Sequence, residues 1–485
     1  MAHGIRWGSV LLLIGLGLSA CADAPRSGPV PADLAIEGAT LIEVEIDDRD
    51  DGNVVTFVRA DQRVVVAGER IVWVGPSGEG PPAERVVDGR GRYLIPGLWD
   101  AHVHFLYDEA LTEAMPGLFL DWGITSVRDT GGHFETLIAL RERLRASEEP
   151  APRVFLSGPL LDGRHVVYDG ANPAQPALGT SVPDPATAAQ QVARLAEGGA
   201  DLIKIYELVS PEVFDALVAA AREHGLPIAS HVPLSLTADV AGPRVDSMEH
   251  LRNIELACAR DWRTLHAGRS RALEAWAGAR GHPLRKSLHD AQRLAAIENH
   301  DPVRCDAVLS SLRGTMQVPT LRLNAFDRAR PDRLPAWSRA VRALPPRVRA
   351  RWEATARALA GEGERDQRFA EWSLSLVGRM DAAGVPIGAG TDTPIRLAIP
   401  GESLHRELEL LVEAGLDPAE ALAASVRAPA RFMGIEDALG RIAAGQLADL
   451  VLLEANPLDD IRNTRRIVGV VSRGRYREPG ASADR

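Results

Sequence analysis

Near its two ends the chain carries short apolar runs, whereas the middle alternates such runs with longer amphipathic stretches. Between residues 34 and 87 the runs fall at 54–58, 64–66 and 71–74, broken by Gly and Asp and without helical period, so each reads as a strand. Residues 441–476 have the same texture in Leu450-Val451-Leu452-Leu453 and Ile467-Val468-Gly469-Val470-Val471. The two ends therefore predict one small β-sandwich domain, made of residues 34–93 and 438–478, around a central segment. That segment, 94–437, has the rhythm of repeated βα units. One unit is clear: residues 202–206 form a strand, Ser210 and Pro211 start a helix, Gly225 ends it, and 227–232 form the next strand. The predicted strand ends are His104, Arg128, Leu160, Tyr206, His231, His250, Leu323 and Asp392. Eight such units predict an α/β fold, a (β/α)8 TIM barrel. The connections 251–316 and 324–384 are too long for simple loops and have helical spacing, so they predict extra helices over the barrel mouth, where insertions shape a substrate pocket.

With 485 residues and 45% hydrophobic content, the chain can bury one large core and a second, smaller one. The net charge of −11 comes with no long basic or acidic run, which argues against nucleic acid as a partner. Arg6 and the apolar run 10–18 have the length of a signal peptide, 1–20, and are too short to span a bilayer. Leu18-Ser19-Ala20-Cys21 resembles the bacterial lipobox, which implies a lipid on Cys21, a tether over 21–33 rich in Pro, Ser and Gly, and an exported protein anchored to the cell envelope. The competing reading is cleavage after Ala22-Asp23-Ala24, which would leave Pro25 behind the cut. Cys258 and Cys305 are the remaining cysteines, and in an exported protein a disulfide between them is permitted.

Candidate chemistry begins at Asp100-Ala101-His102-Val103-His104. On a strand, i and i+2 share a face, so both imidazoles can reach one metal, although two hydrogen-bonded histidines would give the same spacing. Lys204 is one of only two lysines, with Lys286, among 55 basic residues, and it sits in the apolar strand Leu202-Ile203-Lys204-Ile205-Tyr206. An unpaired ammonium there is costly, so the residue is salt-bridged, neutral or chemically modified. His231 closes Pro227-Ile228-Ala229-Ser230-His231, and His250 closes Ser247-Met248-Glu249-His250. Both are at strand ends, where barrel enzymes hold their catalytic groups. Asp392, in Gly388-Ala389-Gly390-Thr391-Asp392, is either another such group or a helix cap.

Taken in order on strands one, four, five, six and eight, these segments resemble the amidohydrolase superfamily, and within it the imidazolonepropionase and prolidase-like group with a carboxylated bridging lysine. The resemblance extends over most of residues 34–476 and includes Ile95-Pro96-Gly97-Leu98-Trp99-Asp100, Val318-Pro319-Thr320-Leu321, and Gly445-Gln446-Leu447-Ala448-Asp449-Leu450. It implies two divalent cations, with zinc suited to the mixed nitrogen and oxygen donors. His102, His104 and Asp392 would hold one and His231 and His250 the other, with carboxylated Lys204 between them. It also implies Asp392, Lys204 and His250 as catalytic residues, Asp392 moving the proton from the attacking water to the leaving nitrogen. Tyr206 and His165, the latter in Gly163-Arg164-His165, are candidate substrate contacts, and His405 is either functional or structural. The implied activity is hydrolysis of an amide bond in a small molecule such as a dipeptide or an acylated amino acid. A cyclic amide or lactone would need the same groups, and a non-catalytic surface binding lipoprotein is the alternative of another class.

Overall fold

The computed structural model describes residues 32–47, 53–172, 175–363 and 365–480. The signal segment, Cys21 and the tether up to residue 31 lie outside the described residues. The first strand, Ala32–Ile46, begins two residues inside the expected tether.

Both chain ends contribute to one eight-stranded sheet. Its path runs Arg475–Arg477, Ile467–Ser472, Leu450–Leu453, Tyr93–Pro96, Ala32–Ile46, Val54–Ala67 and Arg70–Pro76, with Ala83–Asp88 also paired to Ala32–Ile46. The strand period of two lets this sheet serve two cores at once. Leu94, Leu450 and Leu452 join Leu34, Ile36, Leu41, Val64 and Ile71 in a small core. Their chain neighbours Ile95, Val451 and Leu453, together with Ile42 and Val44, turn the other way into the large core of the barrel. Strand Tyr93–Pro96 pairs on both sides within this sheet and so crosses the 93/94 boundary read from the sequence.

The barrel follows. Leu98–Val103, Ile124–Asp129 and Arg153–Leu156 pair in parallel, and Leu160–Asp162, Ile203–Ile205, Ile228–Ser230, Ser247–Glu249 and Met316–Val318 continue the circuit. Arg153–Leu156 and Leu160–Asp162 are two halves of strand three, interrupted where Gly158 takes φ +77°. The eighth position is an irregular stretch, 386–393, that closes the ring. Gly388 N–H donates to Gln317 O (2.8 Å), Ala101 N–H to Ala389 O (2.9 Å) and Asp392 N–H to His102 O (2.8 Å). Gly390 permits this closure, because a Cβ there would lie 2.9 Å from the backbone N of His102 and 2.6 Å from Val318.

The strand ends expected at Leu323 and Leu160 are corrected. Strand seven stops at Val318, since Pro319 has no N–H to extend the ladder, and Leu321–Asn324 is a single helical turn. That turn is held by Glu407, whose carboxylate accepts the N–H groups of Leu321 and Arg322 at 2.7 Å each. Leu160 opens the second half of strand three instead of ending the first. The long connections are helical as expected, with Trp262–Glu274, Gly281–Glu298 and Pro302–Ser311 in the first and Pro335–Ala340, Pro346–Ala360 and Arg368–Ala382 in the second. Cys258 and Cys305 are joined by a disulfide that ties the start of the first insertion to Pro302–Ser311.

Candidate metal centre

The barrel mouth holds a cavity of about 310 Å³ whose floor is His102, His104, Lys204, His231, His250 and Asp392. Four strands and the irregular eighth stretch thus deliver to one place side chains that are up to 290 positions apart in the chain. Their rings form a continuous arc, with centroid separations of 5.2 Å for His104 and His102, 4.5 Å for His102 and His250, and 4.7 Å for His250 and His231.

Each imidazole is held by its Nδ1. His102 Nδ1 lies 2.6 Å from Glu249 Oε2, His104 Nδ1 3.0 Å from Gly131 O, His231 Nδ1 2.8 Å from Glu207 Oε1, and His250 Nδ1 2.8 Å from Thr320 Oγ1. Such partners fix the ring and the tautomer and leave Nε2 free for a cation. Asp392 Oδ1 sits 3.1 Å from His104 Nε2 and 3.4 Å from His102 Nε2, and the donor atoms of these three residues all lie within 4.8 Å of one another. Asp392 is in the left-handed region (φ +60°) and caps no helix; its carboxylate goes to the histidines. His250 is left-handed too (φ +66°), just beyond strand six. Such backbone conformations, costly for non-glycine residues, cluster at sites that require them.

Burial pushes the imidazoles of His102, His231 and His250 down, so they are neutral and able to donate a lone pair. His104 feels the same burial, but Asp392 and Asp129 outweigh it and raise it. Burial also works against the Asp392 carboxylate, yet His250, His102 and His104 hold it well below the ordinary range. Lys204 has no hydrogen-bond partner for its Nζ, although the residue is fully buried. Burial, opposed by Glu249 and helped by Arg128, brings its amine down to about 8. An orphaned nitrogen on a cavity floor shared with the Asp392 carboxylate and four imidazoles that turn their Nε2 atoms away from their Nδ1 partners gives a donor set that fits a metal centre.

The sequence pattern of the amidohydrolase family matches residues 93–476. The chain belongs to the amidohydrolase family. The imidazolonepropionase of Streptomyces coelicolor is 25% identical over 411 residues, 81% of this chain and 86% of the relative. That of Arthrobacter sp. is 48% identical, but over 50 residues that span 12% of its length. Among solved structures, a bottromycin amidohydrolase superposes with a TM-score of 0.65 at 25% identity, covering 95% of this chain and 92% of its own. A Xaa-Pro dipeptidase does so with 0.63 at 21%, covering 92% and 99%. The chain is thus an amidohydrolase-type hydrolase acting on carbon–nitrogen bonds, and its family generally uses divalent metals.

Of the remaining residues singled out in the sequence, Tyr206 lines this amidohydrolase cavity, its ring 4.4 Å from that of His231. His165 does not line it: its Nδ1 faces Ala279 O at 3.4 Å beside the first insertion. His405 is structural, buried between Thr464 Oγ1 (2.9 Å) and Trp122 O (3.0 Å). The sequence reading missed Glu207, Glu249 and Thr320, which orient three of the four imidazoles. Glu249 is itself held by Arg128 Nη2 (2.8 Å) and Ser247 Oγ (2.8 Å). A usable signal was present, since Glu249 directly precedes His250 and Glu207 directly follows Tyr206, each an acid at the end of an apolar strand.

Proposed function

We propose that the chain is a metal-dependent hydrolase of a small amide, with His102, His104 and Asp392 around one cation, His231 and His250 around a second, and carboxylated Lys204 between them. The buried, partnerless Nζ of Lys204 carries this reading. A neutral amine there can add carbon dioxide: its lone pair forms the N–C bond, one N–H proton leaves to solvent, and the product is an anionic carbamate with two oxygens. Two divalent cations in the cavity would acidify a water and polarise the amide carbonyl.

The protein's own groups do the rest. Nδ1 partners on Glu249, Gly131, Glu207 and Thr320 keep all four rings from rotating. Asp392 lies beside the rings of strand one and is the carboxylate that accepts the water's proton and returns it to the leaving nitrogen. Tyr168, Tyr206, Leu160 and Leu178 supply an apolar wall for the substrate. The arginines that also line the mouth favour a charged open-chain amide over a closed apolar pocket for a lactone. A purely binding lipoprotein would have no use for an unpaired lysine among four fixed imidazoles.

The test is turnover of a panel of dipeptides, N-acyl amino acids and lactones by metal-loaded protein and by protein stripped with a chelator. Activity confined to the loaded form and to amides supports the reading, and equal activity of both forms removes it. We also propose export and anchoring through a lipid on Cys21. Labelled fatty acid is then expected in the wild-type chain and not in Cys21→Ala; equal labelling of both would refute it.

A further inference from the structure

Strand seven sends no side chain to the cavity floor, yet the residues just beyond it act on two of the floor residues. Thr320 orients His250 directly. Arg322 reaches the segment of Asp392, and it does so through main chain. It is 5% exposed and does not line the cavity. Its Nε donates to Thr391 O (2.7 Å), Nη2 to Ile395 O (2.7 Å) and Nη1 to Arg396 O (3.3 Å). Its charge is met only through space, chiefly by Asp392 and then by Glu407, the residue that also accepts its backbone N–H. The three carbonyls share one property. Within 391–397 three non-glycine residues are left-handed, Asp392 (φ +60°), Arg396 (φ +50°) and Leu397 (φ +61°). A peptide group is planar, so the carbonyl of one residue turns together with the N–H of the next, and the orientation of that plane sets φ of the second residue. Thr391 O, Ile395 O and Arg396 O belong to the planes that lead into Asp392, Arg396 and Leu397. One guanidinium therefore holds each plane on which a left-handed residue depends. The first plane is gripped at both ends, since Asp392 N–H donates to His102 O (2.8 Å), whereas Ala398 N–H reaches Ile395 O only at 3.3 Å.

A buried guanidinium without a bonded carboxylate is costly, and an apolar side chain would fill the same space at lower cost. An L residue, for its part, leaves the left-handed region unless its surroundings hold it there. We infer that Arg322 is a positioning residue of the metal centre: by fixing these three planes it aims the Asp392 carboxylate at His102 and His104 and sets Ile395 and Arg396 in the cavity wall. This role rests on the metal-dependent reading of the site, but it is carried by a residue that touches neither the floor nor the cavity. The turn after strand seven thus orients one ligand of each proposed cation, His250 through Thr320 and Asp392 through Arg322.

Cobalt binding tests this without recourse to turnover. Affinity is measured by competition with a coloured chelator in wild-type protein, Arg322→Met, Asp392→Ala and the double variant, each shown by urea unfolding to be folded. Loss of a group that orients a metal ligand predicts about 10- to 100-fold weaker cobalt binding in Arg322→Met. Because Arg322 acts through Asp392, the same substitution should change nothing in the Asp392→Ala background, whereas a merely structural arginine would weaken binding in both. Arg322→Lys keeps the charge without the planar fork, so it should lie nearer to Arg322→Met than to wild type, and it takes the place of Arg322→Met in the cycle if that variant does not fold. Undiminished affinity in Arg322→Met, an equal loss in both backgrounds, or an Arg322→Lys protein equal to wild type overturns the inference. Coupling between Arg322 and Asp392 in protein that cleaves no amide would sink the hydrolytic reading and leave this role standing. Amide cleavage without that coupling would do the reverse.

Discussion

Replacing Lys204 by Met separates an orphaned amine from a paired one. Met is close to Lys in length and carries no charge, so it fills the same buried space. In the metal-free protein the Lys204 amine is brought from 10.5 down to about 8, chiefly by burial. The folded state therefore binds this proton less tightly than the unfolded chain, at a cost of roughly 3 kcal/mol. Below pH 8 both states are protonated and the whole penalty applies. Between pH 8 and 10.5 the folded state loses its proton first, and the penalty fades; above that it is gone. Metal-stripped Lys204→Met in carbonate-free buffer should thus be more stable than wild type by up to about 3 kcal/mol at pH 7, with the gap closed near pH 10.5. Urea unfolding followed by tryptophan fluorescence at pH 7 and pH 10.5 measures this. With metals supplied the order should reverse, because the variant lacks the bridge and binds fewer ions. A metal-stripped variant less stable than wild type at pH 7 would mean that Lys204 has a partner after all. A loaded variant with two ions per chain and normal turnover would end the bridging role.

Three further outcomes are expected. Asp392→Asn keeps the shape and an oxygen near the histidines but loses the base, so turnover should fall about 10²- to 10⁴-fold while metal content falls only modestly; near-normal kcat would remove it as proton shuttle. Glu249→Ala leaves the buried Arg128 without its carboxylate and His102 without its Nδ1 partner, which should cost about 3 to 5 kcal/mol in unfolding and about 10- to 100-fold in metal affinity by chelator competition. Removing the Cys258–Cys305 bond, which spans 47 positions, should cost about 4 kcal/mol in the chain-entropy treatment, and mass spectrometry of unreduced protein should find no free thiol at either position.

The barrel was legible in the sequence because its signals are local. Ser210 caps the helix Pro211–Glu223 by accepting from Val213 N–H, and Gly225 leaves it at φ +66°, as their order along the chain predicts. The six floor residues were legible for the same reason, since each stands near the C-terminal end of one of four apolar strands or of the irregular stretch in the eighth position, where the barrel opens at one mouth. What no local pattern contains is the pairing of distant residues. Pro319 and Glu407, 88 positions apart, decide that Leu321–Asn324 is a helical turn and not the end of a strand. The role of Glu207 depends on the insertion helix that brings Arg285 and His289 against it, and the sequence could show only that this helix exists. His165 and His405 are equally polar histidines in equally ambiguous surroundings, and only the packed chain puts one beside Ala279 O and the other between Trp122 and Thr464. The sequence alone determined which residues could do chemistry, because residue type and strand phase are local properties. Tertiary structure alone decided which of them are left without a partner, because hydrogen bonds and counter-charges come from segments far apart in the chain.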